Sequence, residues 1–130
     1  VKKIFLFLSL FLVGCATTQT ANIKNLSNLS QISVGMSQEE VSRIMGDSVI
    51  VGYEITSEKS GAFKPITVRN PQRSETIQRG GKVYQAVFYF TSIRQEDGSI
   101  TDDELTPLIF RDGRLVGQGW PFLNKILRKN

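Results

Sequence analysis

Histidine is absent from the 130 residues and cysteine occurs once, at Cys15. The chain therefore lacks the parts for a Ser-His-Asp triad, a Cys-His dyad, a Cys/His zinc site or an internal disulfide. Glycine and proline number only 11 and 4 residues, far short of a collagen-like chain. Charge is moderate at 22%, and a hydrophobic share of 40% is too high for a wholly disordered one. The length suits one small packed domain and leaves no room for a second core.

The amino terminus has the layout of an export leader. Lys2 and Lys3 form a basic head, Ile4 to Val13 an apolar run, and Gly14 precedes Cys15. As a helix the run would rise about 15 Å, half of a roughly 30 Å hydrocarbon core, and so would not span a bilayer. Leu12-Val13-Gly14-Cys15 resembles the lipobox of bacterial lipoproteins. That resemblance implies a thiol joined to diacylglycerol, cleavage just before the cysteine, and further acyl chains such as palmitate. The alternative is a Cys15 that is merely a small apolar residue of a hydrophobic helix. Two or three acyl chains anchor a protein almost permanently, whereas one is marginal. Ala16 takes the place where Asp would signal inner-membrane retention, so the similarity to known lipoproteins implies the outer membrane, facing the periplasm.

The expected organisation is a leader over 1–14, a lipidated flexible tether over 15–22, and one α+β domain over 23–130. The small polar residues from Ala16 to Ala21 carry no periodic apolar face. Ile23, Leu26 and Leu29 recur at helical spacing and predict a short first helix. Ser37 followed by Glu40 is a capping-box pattern, Val41, Ile44 and Met45 form one stripe, and Gly46 supplies a stop, which together predict a helix from Ser37 to Met45. Val49 to Thr56 and Lys82 to Ile93 read as strands, the second apolar on both faces and therefore central. Leu105 to Phe110 and Leu115 to Trp120, joined across Asp112-Gly113, read as a hairpin, with Pro107 near a strand start or on an unpaired edge. Pro121 opens a short terminal helix with Phe122, Leu123, Ile126 and Leu127 inward.

Ile32-Ser33-Val34-Gly35-Met36-Ser37, followed by Val41 and Met45-Gly46, is similar to the helix signature of the SmpA/OmlA (BamE-like) outer-membrane lipoprotein family. The Leu105 to Gly117 hairpin matches the family's last one in order. Met36 suits a hydrophobic staple ahead of the Ser37 cap. The resemblance implies two short helices packed on one face of a mostly antiparallel sheet of three to four strands, a two-layer sandwich with a short C-terminal helix. The same fold is known from β-lactamase-inhibitor proteins. Gly46-Asp47-Ser48 departs from the family's Gly-x-Pro, and the stretch from Ser57 to Lys82 is an addition to it.

That stretch carries Lys59, Lys64, Arg69, Arg73, Arg79 and Lys82 against only Glu58 and Glu75. Such a basic loop on a tethered protein suits anionic lipid or an acidic partner, or else is a solvated loop. Export makes nucleic acid a poor partner. Asp97 to Glu104 imitates the back half of an EF-hand loop, but Ile93 and Gln95 occupy positions that need carboxylates, and a Thr101 to Glu104 capping box explains the same residues without metal. Asp102, Asp103 and Glu104 are adjacent acids of the kind that usually diverge. Trp120 is expected to pack under the terminal helix, an exposed one marking an interface.

No positioned nucleophile and base is apparent, so the expectation is a non-enzymatic protein without cofactor or metal. The family resemblance implies a lipoprotein that aids outer-membrane protein assembly or envelope maintenance through protein contacts, its partners including the β-barrel assembly machinery. The alternative is a lipoprotein inhibitor or protein-binding module whose partner lies outside that machinery.

Overall fold

A computed structural model describes residues 24–57, 61–95 and 99–128. Residues 24–30 are helical (α1), followed by helix α2 at Gln38–Met45 and helix α3 at Trp120–Leu127. The strands are β1 Ser48–Ser57, β2 Ala62–Arg69, β3 Arg73–Arg79, β4 Lys82–Phe90, β5 Leu105–Arg111 and β6 Arg114–Gln118, with a 3-10 turn at Asp102–Glu104. The class is α+β with antiparallel sheets. Strands β3-β4-β5-β6 form a four-stranded meander, and β1 and β2 pair with each other in a separate hairpin.

Helix α2 forms where its capping chemistry dictates. The Ser37 hydroxyl accepts the Glu40 N–H at 3.2 Å, and the Glu40 carboxylate accepts the Ser37 N–H at 2.7 Å. Val41 and Met45 are buried, and Met36 packs against their cluster, as a staple should. The β5–β6 turn has Asp112 at φ 51 and Gly113 at φ 73, the pair of positive angles that fits the twist of a two-residue hairpin. Pro107 is the third residue of β5, just beyond the stretch that β6 pairs, where its carbonyl accepts the Gly119 N–H at 2.7 Å.

Strand β4 is central and carries the core on both faces, because side chains alternate along it. Tyr84, Ala86, Phe88 and Phe90 join Leu105 and Ile109, covered by Leu123 and Ile126 of α3 and by Val51 of β1. Val87 and Tyr89 join Leu108, Phe110 and Leu115, covered by Ile32 and by Val41 and Met45 of α2. Trp120 opens α3 with its ring 5.6 Å from that of Phe88, and its indole N–H donates to the Leu105 carbonyl at 2.8 Å. Asn70 fastens the hairpin to the rest. Its N–H donates to the Asp47 carbonyl at 2.8 Å, and its side-chain oxygen accepts the Phe90 N–H at 2.9 Å.

The sheet edges are managed differently. On the outer side of β6 the Gly35 N–H donates to Leu115 and the Leu115 N–H to Met36, both at 2.8 Å, and Ser37 bridges Arg114. The Gly35-Met36-Ser37 segment therefore caps an edge as well as starting a helix. Strand β3 forms the other edge, an exposed strand carrying Arg73, Glu75 and Arg79, residues that discourage pairing with another chain.

Five expectations need correction. The stretch from Ser57 to Lys82 is not a loop: it supplies β2 and β3, because Phe63, Ile66 and Val68, and then Thr76 and Ile77, sustain extended backbone between the charges. In α1 the inward residues are Asn25 and Leu29, whereas Leu26 is exposed and Ile23 lies outside the described residues. Trp120 belongs to α3 and not to β6, and Leu127 is exposed. The four-stranded sheet is covered on both faces, so a simple two-layer description does not hold. The extra layer is α3 with the base of the β1–β2 hairpin.

Candidate interaction surface

Cys15 and Lys59 lie outside the described residues. The other five predicted cations are dispersed. Lys64 faces Glu54 across the β1–β2 hairpin with 3.7 Å between Nζ and Oε1. Arg69 ends β2. Arg79 and Lys82 are cross-strand neighbours at the far end of the β3–β4 hairpin, joined by the turn at Gly80-Gly81, and the described residues give neither an acidic partner. Only this pair resembles the expected cluster.

Arg73 has a different role. Its guanidinium lies 4.0 Å from the centroid of the Phe88 ring, donates to Asp102 at 2.8 Å and donates to Glu75 at 3.0 Å. The hydrogen bond to Asp102 is the chief reason its pKa rises above the ordinary arginine value, with Glu75 adding to it. Arg73 thus joins β3 to the turn before β5 and is occupied by intramolecular partners.

The acidic triplet also diverges into separate structural tasks. Asp102 binds Arg73, and Asp103 accepts the Thr101 hydroxyl. Glu104 is 2% exposed, and its carboxylate accepts backbone N–H groups of Arg94 at 2.7 Å, Gln95 at 3.3 Å and Thr101 at 3.0 Å. A carboxylate so occupied closes the 91–104 loop on itself, and the capping box expected at Thr101 is present. Asp97 lies outside the described residues, and among those described no group of acidic or thiol side chains is placed to hold a metal ion. Beside Glu104, Val51, Phe90 and Ile93 line a void of about 10 Å³, no larger than one water needs.

Trp120 is half-buried, its ring tilted at 45° against that of Phe88, and lines a shallow surface depression with Asn124, Lys125 and Arg128. A second open groove lies between α2 and the chain before β3, lined by Glu39, Ser42, Arg43, Asp47 and Pro71 over Tyr89. Burial raises the pKa of the Tyr89 hydroxyl, and its hydrogen bond with Ser42 partly opposes that rise.

The surface not found from sequence is one face of the β1–β2 hairpin. Phe63, Pro65 and Thr67 alternate onto one side of β2, and the register places Ile55, Tyr53 and Ile50 opposite them. Phe63 is 66% exposed, Ile55 63% and Tyr53 45%. The other side contributes Val49 and Val68 to the core, so the hairpin is fixed at its base and carries a bare apolar face beyond it. The signal was present as the run Val-Ile-Val-Gly-Tyr-Glu-Ile, but it reads like any core strand. A register shift between Ile50 and Gly52 turns Val51 inward and leaves Ile50 and Tyr53 on the same outer side.

A family model described as "Protein of unknown function (DUF3192)" matches residues 16–124. No curated protein and no solved structure matches the chain.

Proposed function

We propose, for a chain that belongs to the DUF3192 family, the role of a non-enzymatic lipoprotein tethered to the periplasmic side of the outer membrane, aiding envelope-protein assembly or maintenance through protein contacts. The observation that carries the reading is the basic head, short apolar run and Leu12-Val13-Gly14-Cys15 sequence in register. The family match begins at residue 16, the position directly after the cysteine, in line with a mature domain that follows an acylated residue.

Tethering confines the domain to a thin layer, which raises its effective concentration for membrane neighbours, so that weak contacts suffice. The BamE-like reading of the fold belongs to the same proposal. It is supported by the Gly35-Met36-Ser37 capping segment, by α2, and by the closing β5–β6 hairpin in family order. Crosslinking in intact envelopes tests it: capture of β-barrel assembly subunits is the expected result. Capture solely of an unrelated enzyme would replace this role with that of a lipoprotein inhibitor module.

A further inference from the structure

We infer that the outer face of the β1–β2 hairpin, built by Ile50, Tyr53, Ile55, Phe63 and Pro65, is a bilayer-contact surface that lies in the lipid interface. The inference rests on the tethered-lipoprotein reading and adds a second point of attachment to it.

The residues of this face decide the chemistry. Among the described residues the face from Ile50 and Thr67 to Ile55 and Phe63 carries no charged side chain, so the passage of that part into the headgroup region desolvates no ion. The Lys64–Glu54 pair sits on the opposite side, and Arg69 at the base. Tyr53 and Phe63 provide amphipathic and apolar rings of the kind that settle at a membrane–water boundary. Pro65 has no N–H to donate, which weakens β2 as a template for an added strand and argues against strand addition there.

The chain outside the described structure supplies the partner. Cys15 and Lys24 are nine residues apart, so even a fully extended connection keeps an acylated Cys15 within about 30 Å of the start of α1. A bilayer is then the nearest extensive apolar phase. The dispersal of the cations assigns the contact to apolar burial and not to a basic patch: Lys64 and Arg73 have acidic partners, and Arg79 and Lys82 sit on a different hairpin.

The test uses the mature chain from residue 15 with Cys15→Ser, which removes the acyl anchor, floated with vesicles of phosphatidylcholine alone or with one-third phosphatidylglycerol. The expected result is flotation in both, insensitive to salt, with the bound fraction falling about tenfold or more in Ile55→Ser/Phe63→Ser. Phe63→Leu should retain it, and melting curves of the variants should overlay the parent's, because these side chains are exposed. No flotation of the parent overturns the inference, as does equal flotation of the double serine variant. Flotation that needs anionic lipid and vanishes in salt also overturns it, as does an Ile55- and Phe63-dependent dimer without vesicle binding. The mass of the natural protein distinguishes the two readings. An acylated chain whose hairpin ignores vesicles sinks this inference alone, whereas a vesicle-binding hairpin on a free-thiol chain supports it while the tethered role falls.

Discussion

Arg73 stands over the ring of Phe88 at 4.0 Å while its other side engages Asp102, so one exposed-strand cation links β3, the core aromatics and the turn before β5. A residue that charge counting assigns to a membrane surface is in fact a structural cross-brace. Arg73→Ala should lower stability by roughly 1 kcal/mol, the ion pairs being screened and the ring contact modest. Arg79→Ala and Lys82→Ala should leave the midpoint of urea unfolding unchanged. Equal effects from all three would contradict this division of labour.

Gly117 lies under Phe122. A Cβ added at residue 117 would meet three carbons of that ring at 2.5 Å, so the glycine is what lets α3 close on the sheet. Gly117→Ala should cost about 1–3 kcal/mol by overpacking. Combining it with Phe122→Leu, which gives the Cβ room, should recover part of the loss, a non-additivity that a double-mutant cycle measures.

Glu104 should resist even a nearly isosteric change. Glu104→Ala removes the acceptor for three backbone N–H groups at once and should destabilise by at least about 2 kcal/mol. Glu104→Gln keeps the shape with a weaker acceptor and should fall between the alanine variant and the parent. Amide hydrogen exchange at Arg94, Gln95 and Thr101 should accelerate in both, while calcium should change nothing in the parent's melting temperature.

The capping box at α2 should respond to acid. The N–H of Ser37, reinforced by its hydroxyl, holds the Glu40 carboxyl below the usual carboxylate range. A depressed folded-state pKa gives a stabilising contribution that is complete above the ordinary Glu value and is lost as pH falls through the folded one. An NMR titration should place the Glu40 midpoint below that of a Glu in the unfolded chain. Fraying of α2, seen as faster exchange near Glu40, should set in as pH drops below the ordinary Glu value and should level off below the Glu40 midpoint.

Local chemistry made some of this fold legible. The Ser37–Glu40 cap, the Asp112-Gly113 turn and the two-sided apolar run of β4 each follow from residues close in sequence, and each is present as expected. What escaped depends on distant residues. Strands β2 and β3 hide behind their charges because Arg73 and Lys64 find partners only after folding, at Asp102 and Glu54. The hairpin's bare face escaped for the converse reason. Ile50, Tyr53 and Ile55 have the composition of a core strand, and only the register shift at Val51 and the position of the remaining layers decide which side stays in solvent.

The most direct test of the central claim is the intact mass of the natural protein extracted from cell envelopes. The account predicts a chain that begins at Cys15 and bears diacylglycerol and an added acyl group, recovered with the outer membrane. A chain that keeps residues 1–14 and an unmodified thiol would contradict it.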